Sequence, residues 1–206
     1  VADDRLGIAC GAAAPARLLR ALAEQLALGQ HAGLRIVERE AGGGEAPLLP
    51  VSEVRLIGRH LLSDVAAAAA IARIAGAAGE AVRAAAGSFT GLEHALEPVM
   101  TVAGIRFVND SKATNVEAAR RAIESFDGPL VPIIGGRFKG GDLRDLVPAL
   151  AGRAKAVVAI GEARPVVHQA LEGAVAIVEA VSMAEAVRAA LAASPPGGTV
   201  LLAPAC

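Results

Sequence analysis

The segment LVPIIGGRFKGGD, residues 130–142, indicates the fold class of this 206-residue chain. Its first half is a continuous apolar run, which is typical of a strand buried on both faces of a parallel sheet. Its second half holds four glycines and the two cations Arg137 and Lys139. A helix is predicted to follow near residues 143–151, so the segment forms one strand–loop–helix unit of an α/β domain.

Alternation of strand and helix extends over residues 92–206. Glu185 lies three residues after Ser182, which is the spacing of a helix-capping box. We therefore predict an α/β fold with a mostly parallel, Rossmann-like sheet and flanking helices. The predicted strands are 96–102, 105–108, 130–136, 156–161, 175–178 and 198–205, and the first helix is 115–126.

The first 90 residues show a different pattern, with too few predicted strands to close a sheet alone. This region is therefore predicted to be the tail of a larger domain. The stretch GSFTGLEH, residues 87–94, has no periodicity and two glycines, so the boundary between domains 1–91 and 92–206 is placed there. The elements predicted in the first domain are a helix at 16–28, a strand at 34–39, a turn at 41–47, an extended segment to Ile57 and a helix from Ser63 to Gly76.

Composition and charge limit the classes of function. The formal net charge of −1 argues against a general nucleic-acid binder, which carries a basic excess. No apolar run approaches the roughly 18 residues of a membrane span. Cys10 and Cys206 lie far apart and match no metal-ligand spacing, so we predict free thiols, no metal site and a cytoplasmic location.

A second polar loop follows the predicted strand IRFV, in the segment NDSKATN, residues 109–115. Parallel strands bring their carboxyl ends to one edge of a sheet, where open α/β folds bind ligands. Lys112, Arg137 and Lys139 are therefore predicted to lie near one edge, where they would suit a carboxylate or a phosphate. Asp110 would accept a hydrogen bond from a sugar hydroxyl or help to hold a cation.

These loops also have purely structural interpretations. Thr114 and Glu117 have capping-box spacing, so Thr114 is predicted as the N-cap of the following helix. Lys112 and Asp110 could form a surface ion pair worth roughly 0–1 kcal/mol. The loop at 135–142 lacks the Gly-Lys-Ser/Thr order of a Walker A motif, so its lysine could simply be solvated.

A third polar stretch, GRHLLSDV at residues 58–65, contains a histidine and an aspartate. His60 and Asp64 are four residues apart, which places them on one helical face if the helix begins early. No third ligand for a metal is apparent, and a lone histidine is more often packed or capping.

Together these stretches resemble the Mur ligase family over essentially the whole chain. NDSKATN is the most specific of them, because it resembles the members that add D-glutamate, whereas other members carry a His-Asn-Pro turn there. The matching stretches are ADD (2–4), L-x-G-x-H (56–60), FTGLEH (89–94), NDSKATN (109–115), GGRFKGGD (135–142) and LLAPAC (201–206).

The resemblance implies a monomeric, three-domain parent enzyme that uses ATP and Mg²⁺. Its implied reaction adds D-glutamate to UDP-N-acetylmuramoyl-L-alanine through an acyl phosphate, in peptidoglycan precursor synthesis. Residues 1–91 would be the C-terminal part of the central ATP-binding domain. Residues 92–206 would be most of the C-terminal domain. Mg²⁺ and the triphosphate would be bound mainly by other parts of the parent enzyme.

The resemblance also implies roles for individual residues. Lys112 would be the catalytic cation beside the reacting phosphate and carboxylates. Asp110 would bind the nucleotide ribose. The remaining assignments are Ser111, Thr114 and Lys139 to substrate, and His60 and Asp64 to the adenine.

Several positions depart from the family pattern. Leu61 and Asp64 stand where asparagines are usual, and Ala95 stands where an arginine contacts phosphate. Because the chain also has no Gly-Lys-Thr/Ser loop, we predict that it does not catalyse the reaction alone. Two alternatives remain open: another Mur-type or polyglutamylating amide ligase, and a non-catalytic module that binds a nucleotide or an amino acid.

Overall fold

The computed structural model describes residues 6–8, 18–22, 35–39 and 45–206. The chain divides into two compact units between Thr90 and Gly91, and each unit is described by itself. The sequence motif ADD at residues 2–4 and the thiol of Cys10 lie outside the described residues.

In its described part, the first unit contains a four-stranded antiparallel sheet of order β1-β2-β3-β4 and two helices. Its elements are β1 (Leu6–Ile8), β2 (Leu18–Leu22), β3 (Arg35–Arg39), β4 (Glu45–Pro50), a 3₁₀ turn (Val51–Glu53), α1 (Arg59–Ile74) and α2 (Gly79–Ser88).

A small apolar core joins the sheet of this unit to its helices. Ile36 of β3 and Leu49 of β4 lie opposite each other in register and are fully buried. They belong to one cluster with Ala66 and Ala69 of α1 and Val82 of α2. Alanine side chains are small, so α1 approaches the sheet closely and buries its apolar face there.

Two predictions for the first unit are wrong. The helix predicted at 16–28 is, in its described part, strand β2, which pairs with β1 on one side and β3 on the other. Helix propensity is a weak preference, and pairing along both edges of the strand overrides it. The turn predicted at 41–47 ends in β4, which begins at Glu45. The strand predicted at 34–39 is confirmed.

Both helices of this unit differ from the sequence prediction. α1 begins at Arg59 rather than near Ser63, directly after Gly58, whose φ of 104° ends the extended segment. Hydrophobic periodicity does not predict α2, because Val82 is its only apolar residue larger than alanine. The earlier start of α1 places His60 and Asp64 on the same helix, one turn apart.

The second unit alternates strand and helix along most of its length. Its elements are β5 (Glu97–Val102), β6 (Ile105–Asn109), α3 (Val116–Glu124), β7 (Leu130–Gly135), a 3₁₀ turn (Leu143–Leu146), α4 (Val147–Leu150), β8 (Val157–Ile160), α5 (Arg164–Leu171), β9 (Ile177–Ala180), α6 (Met183–Ala193) and β10 (Thr199–Leu202). They form a six-stranded sheet of order β5-β6-β10-β7-β8-β9, parallel except for β5.

Helices cover both faces of this sheet. Val131 and Ile133 of β7 pack in one cluster with Ala186 and Ala190 of α6. Ile134 points to the opposite face by strand alternation and is also fully buried. The predicted α/β fold, mostly parallel with flanking helices, is therefore confirmed.

Element boundaries in the second unit shift only slightly from the prediction. The strand predicted at 175–178 lies at Ile177–Ala180. The helix predicted near 143–151 is split into a 3₁₀ turn and the short α4. The predicted cap at Ser182 is confirmed, because its Oγ accepts a hydrogen bond from the Glu185 amide at 3.2 Å.

The cap predicted for α3 is wrong by one residue. Asn115, not Thr114, is the N-cap, and its Oδ1 accepts a hydrogen bond from the Ala118 amide at 2.8 Å. Asn115 has extended backbone angles, as N-cap residues require. A capping box matches spacing alone, and asparagine is at least as good a cap as threonine.

The last strand of the chain occupies the middle of the sheet. β10 pairs with β6 on one side and with β7 on the other, in parallel. The carboxyl ends of these three strands therefore lie at one edge of the sheet.

No helix among the described residues is long and apolar enough to cross a membrane.

The α3 cap predicts unequal effects for two neighbouring substitutions. Asn115→Ala should lower the free energy of unfolding by about 1 kcal/mol, because the Ala118 amide loses its partner. Thr114→Ala should change it by less than about 0.5 kcal/mol. Urea unfolding followed by far-ultraviolet circular dichroism measures both, since the chain has no Trp or Tyr. A larger loss at Thr114 would contradict the assigned cap.

Candidate functional site

The candidate site of the second unit is the edge where β6, β10 and β7 end. We call it the carboxyl edge, and it consists of the loops at 110–115 and 135–142 with the segment at 203–206. Sequence reasoning placed five predicted site residues in these two loops. The structure shows how backbone hydrogen bonds set the course of each loop.

The loop after β6 is a tight turn fixed by its own backbone. The Asp110 amide donates to Leu202 O at 2.8 Å, and the Ala113 amide donates to Asp110 O at 2.9 Å. The Thr114 amide donates to Lys112 O at 2.8 Å. The turn buries Ala113 and leaves the side chains of Lys112 and Thr114 exposed, where a ligand could reach them.

Asp110 has a structural contact of its own. It is only 9% exposed, and its Oδ1 accepts a hydrogen bond from the Leu96 amide at 3.3 Å. Leu96 has a left-handed φ of 45°, which costs a non-glycine residue energy and must be supported by its surroundings. The Asp110 carboxylate therefore helps to hold the chain entering β5, and its contact to ribose stays a prediction.

A polar cluster that no sequence pattern predicted lies beside this turn. Asn109 Nδ2 lies 2.9 Å from His94 Nδ1 and donates to Glu97 Oε2 at 3.1 Å. Asn109 Oδ1 accepts from the Ser111 amide at 3.1 Å, which orients the side-chain amide. The Lys112 amide donates to His94 O at 3.1 Å. The cluster thus fixes the backbone that carries Ser111 and Lys112.

The register of the β5–β6 hairpin allows only part of this cluster to be predicted from the sequence. β5 and β6 are joined by a tight turn at Ala103 and Gly104, which sets Val102 opposite Ile105. A register shift between Pro98 and Met100 then places Glu97 opposite Asn109. An unshifted register would place Glu97 opposite Asp110, and like charges directly opposite are unfavourable. The bulge has no sequence signal strong enough to predict.

The two glycine pairs in the loop at 135–142 differ in what surrounds them. The Gly135 amide donates to Pro204 O at 2.9 Å, and the Gly136 amide donates to Ile160 O at 3.1 Å. This first pair therefore lies close to neighbouring protein backbone. Gly140 is different, because a Cβ there would meet nothing within 4 Å.

The segment after β10 contacts both loops. The Ala205 amide donates to Ala113 O at 2.8 Å, and Lys139 Nζ donates to Cys206 O at 3.3 Å. A Cβ on Gly141 would lie 3.0 Å from Val116 Cγ2, so the second loop also contacts the start of α3. The structure therefore brings the Lys112 and Lys139 loops to the same edge, on either side of residues 203–206.

Positive charge at the carboxyl edge is not neutralised by acidic side chains of the described residues. Lys112 and Lys139 are exposed, and neither ammonium forms an ion pair with an acidic side chain there, whereas Lys139 Nζ contacts a main-chain oxygen of the last residue, Cys206. Burial raises the pKa of the Cys206 thiol, and the nearby Lys139 charge lowers it. The edge can therefore attract an anion without first breaking an ion pair between side chains.

His60 and Asp64 lie in the first unit, on α1. His60 is half-buried, and Asp64 is exposed. Asp64 lines a cavity of about 450 Å³ between α1 and α2 whose other walls are apolar, including Leu56, Val82 and Phe89. No cluster of three His, Cys, Asp or Glu side chains that could hold a metal occurs in the described ranges.

The sheet order and the loops at its carboxyl edge define the second unit as a Rossmann-like α/β domain with a basic edge. The chain belongs to the Mur ligase family, because residues 94–206 match the family described as Mur ligase, glutamate ligase domain.

Curated relatives extend the similarity beyond this match. The chain is 46% identical over 176 residues to the UDP-N-acetylmuramoylalanine–D-glutamate ligase of Acidobacterium capsulatum, which covers 85% of this chain and 38% of the relative. It is 44% identical over 160 residues to the ligase of the same name from Methylococcus capsulatus, and this match covers 78% of this chain and 35% of the relative. The chain thus spans little more than a third of the length of these relatives.

Solved structures share the fold at low sequence identity. Mycobacterium tuberculosis folylpolyglutamate synthase complexed with ADP has a TM-score of 0.63 and 20% identity, covering 90% of this chain and 45% of that one. UDP-N-acetylmuramate-alanine ligase from Thermotoga maritima has a TM-score of 0.59 and 15% identity, and the match covers 84% of this chain and 40% of that one. These likenesses support the fold alone.

The contact between Lys139 and Cys206 predicts a change in thiol titration. Lys139→Met removes the positive charge that lowers the pKa of the Cys206 thiol, so this pKa should rise further. Lys155→Met should leave it unchanged, because Lys155 precedes β8 at the opposite edge of the sheet. The pH dependence of iodoacetamide alkylation, measured with Cys10→Ser present throughout, reports the pKa. An unchanged pKa in Lys139→Met would refute the contact.

Proposed function

We propose that this chain is part of an ATP-dependent ligase that adds D-glutamate to UDP-N-acetylmuramoyl-L-alanine in peptidoglycan precursor synthesis, in the cytoplasm. The observation that carries the proposal is the carboxyl edge, where NDSKATN and GGRFKGGD present two exposed lysines, Lys112 and Lys139, on either side of residues 203–206. The 46% identity to a ligase of that name supports the same reaction.

In the proposed reaction, ATP first activates a carboxylate. The γ-phosphoryl group is transferred to a carboxylate oxygen of UDP-N-acetylmuramoyl-L-alanine, and ADP leaves. The amine of D-glutamate then attacks the acyl carbon, phosphate departs with the C–O electron pair, and the amine loses a proton. Each step gathers anions, so fixed positive charge near the reacting atoms stabilises the transition states.

Lys112 is the proposed catalytic cation of this chain. Its ammonium is exposed at the end of β6, and its amide is held by His94 O. A lysine offers a compact charge with three rotatable donors, which suits a phosphate and a carboxylate that change position during reaction.

D-Glutamate binding is proposed for the remaining polar groups of the carboxyl edge. Lys139 would bind a carboxylate of the amino acid, and Thr114 would donate a hydrogen bond to it. The Thr114 hydroxyl is exposed and is not the cap of α3, which supports this role. Ser111, half-buried in the same turn, would complete the substrate contacts.

Nucleotide binding is proposed for three further residues. Asp110 would contact the ribose, and His60 and Asp64 would approach the adenine. Residues 1–91 are assigned to the central ATP-binding domain and 92–206 to the C-terminal domain. The chain has no Gly-Lys-Thr/Ser loop, so it would not complete the reaction alone. The described residues offer no carboxylate cluster for Mg²⁺, and we assign the ion no ligand among them.

Amino-acid binding by the 206-residue chain tests the proposal. We expect D-glutamate to shift the amide signals of residues 110–115 and 135–142 in heteronuclear NMR titrations, and to bind more tightly than L-glutamate. Lys139→Met should weaken D-glutamate binding by about tenfold, because one charge-assisted hydrogen bond contributes about 1.5–3 kcal/mol.

Lys155→Met is the matched control and should leave the affinity unchanged, since it removes the same charge from the other edge of the sheet. Tighter binding of L-glutamate would favour a polyglutamylating ligase instead. Binding of nucleotide but of neither glutamate isomer would overturn the assignment of this edge to D-glutamate.

A further inference from the structure

The turn between β8 and α5 lies directly against the loop that carries Lys139. Gly161 follows β8 and has a left-handed φ of 73°. A Cβ built on Gly161 would lie 2.9 Å from Gly136 Cα, 3.0 Å from Gly136 O and 3.1 Å from Gly136 N. Backbone atoms cannot retreat as the end of a flexible side chain can, so only glycine fits at 161 with the present course of the loop.

Hydrogen bonds fasten the same two segments together. The Gly136 amide donates to Ile160 O at 3.1 Å, and Gly136 O accepts from the Ala163 amide at 3.0 Å. Both polar backbone groups of Gly136 are thus bound by residues 160–163. A Cβ on Gly135 would lie 2.1 Å from Ile160 O, so the start of the loop is held against this turn by both packing and hydrogen bonds.

We propose that Gly161 is a positioning residue for Lys139. By packing on Gly136 it sets the course of the loop at 135–142, and therefore the place of the Lys139 ammonium at the carboxyl edge. Gly161 itself contacts no substrate in this account. The inference deepens the proposed function, because it takes D-glutamate as the ligand of Lys139.

The size of the expected displacement makes the effect measurable. Relief of a 2.9 Å contact to an ordinary van der Waals separation moves the loop by roughly 0.5–1 Å. Lys139 lies three residues beyond Gly136, and its ammonium is only 3.3 Å from Cys206 O. Misplacement by about 1 Å of a group that positions a substrate can reduce a rate by about a hundredfold.

Gly173 provides a matched control. It follows α5 and has a φ of 77°, so an alanine there suffers the same backbone strain as at Gly161. A Cβ on Gly173 would meet nothing within 4 Å. The two Gly→Ala variants therefore differ in one respect, which is the contact with Gly136.

Two readouts on the full 206-residue chain test the inference. Gly161→Ala should shift the NMR amide signals of residues 136–141 and of Cys206, and weaken D-glutamate binding about tenfold or more. Gly173→Ala should shift only signals near residue 173 and change the affinity by less than about twofold. The inference is wrong if a folded Gly161→Ala chain binds D-glutamate as tightly as the unsubstituted chain. It is also wrong if Gly161→Ala and Gly173→Ala lose the same amount of affinity.

The amide shifts separate this inference from the proposed function. If the parental chain does not bind D-glutamate but Gly161→Ala still shifts residues 136–141 selectively, the proposed ligand is wrong and the positioning role stands. If the parental chain binds and the loop signals do not respond to Gly161→Ala, the positioning role is wrong.

A second variant covers the case in which Gly161→Ala does not fold. Ala163 has a φ of −75°, which proline adopts without strain. Ala163→Pro removes the amide that donates to Gly136 O at 3.0 Å, and its ring Cδ takes the place of the amide hydrogen against that oxygen. It should weaken D-glutamate binding in the same direction by about threefold to tenfold. If Ala163→Pro binds D-glutamate as tightly as the unsubstituted chain, the role assigned to the 160–163 turn is wrong.

Discussion

Backbone hydrogen bonds between the segment at residues 202–206 and the ends of β6 and β7 hold the carboxyl edge together. The Asp110 amide donates to Leu202 O, the Gly135 amide to Pro204 O, and the Ala205 amide to Ala113 O. They join the ends of β6 and β7 to the strand between them. This backbone is buried and irregular, so each unmade bond would cost about 1–3 kcal/mol. The placement of both lysine-bearing loops depends on these bonds.

Positive charge is concentrated locally by this arrangement in a chain whose formal net charge is only −1. Lys112 and Lys139 flank one segment, and the cost of their repulsion is modest while both remain in water. Lys139 gains a carbonyl partner at Cys206. Because both lysines are exposed, an anionic ligand can reach their charges from solvent.

Sequence patterns predicted the sheet of the second unit well, because its buried strands are continuous apolar runs and the cap of α6 at Ser182 is recognisable. They also identified both loops, since polar residues cluster where the strands end. They could not predict that β10 separates β6 from β7, because strand order is set by long-range pairing. Nor did they show that Gly135 serves packing against Ile160, or that Asn115 displaces Thr114 as a cap. In each case a contact distant in sequence, or a choice between two similar residues, decided the outcome.

Hydrogen–deuterium exchange of the Asp110, Gly135 and Ala205 amides tests the central claim most directly. If the segment at 202–206 holds the edge together, all three amides exchange slowly and at similar rates in the chain without ligand, because they open only when the unit unfolds. Exchange of the Ala205 amide at the rate of an unstructured peptide, while the Ile133 amide in β7 stays protected, would contradict the account.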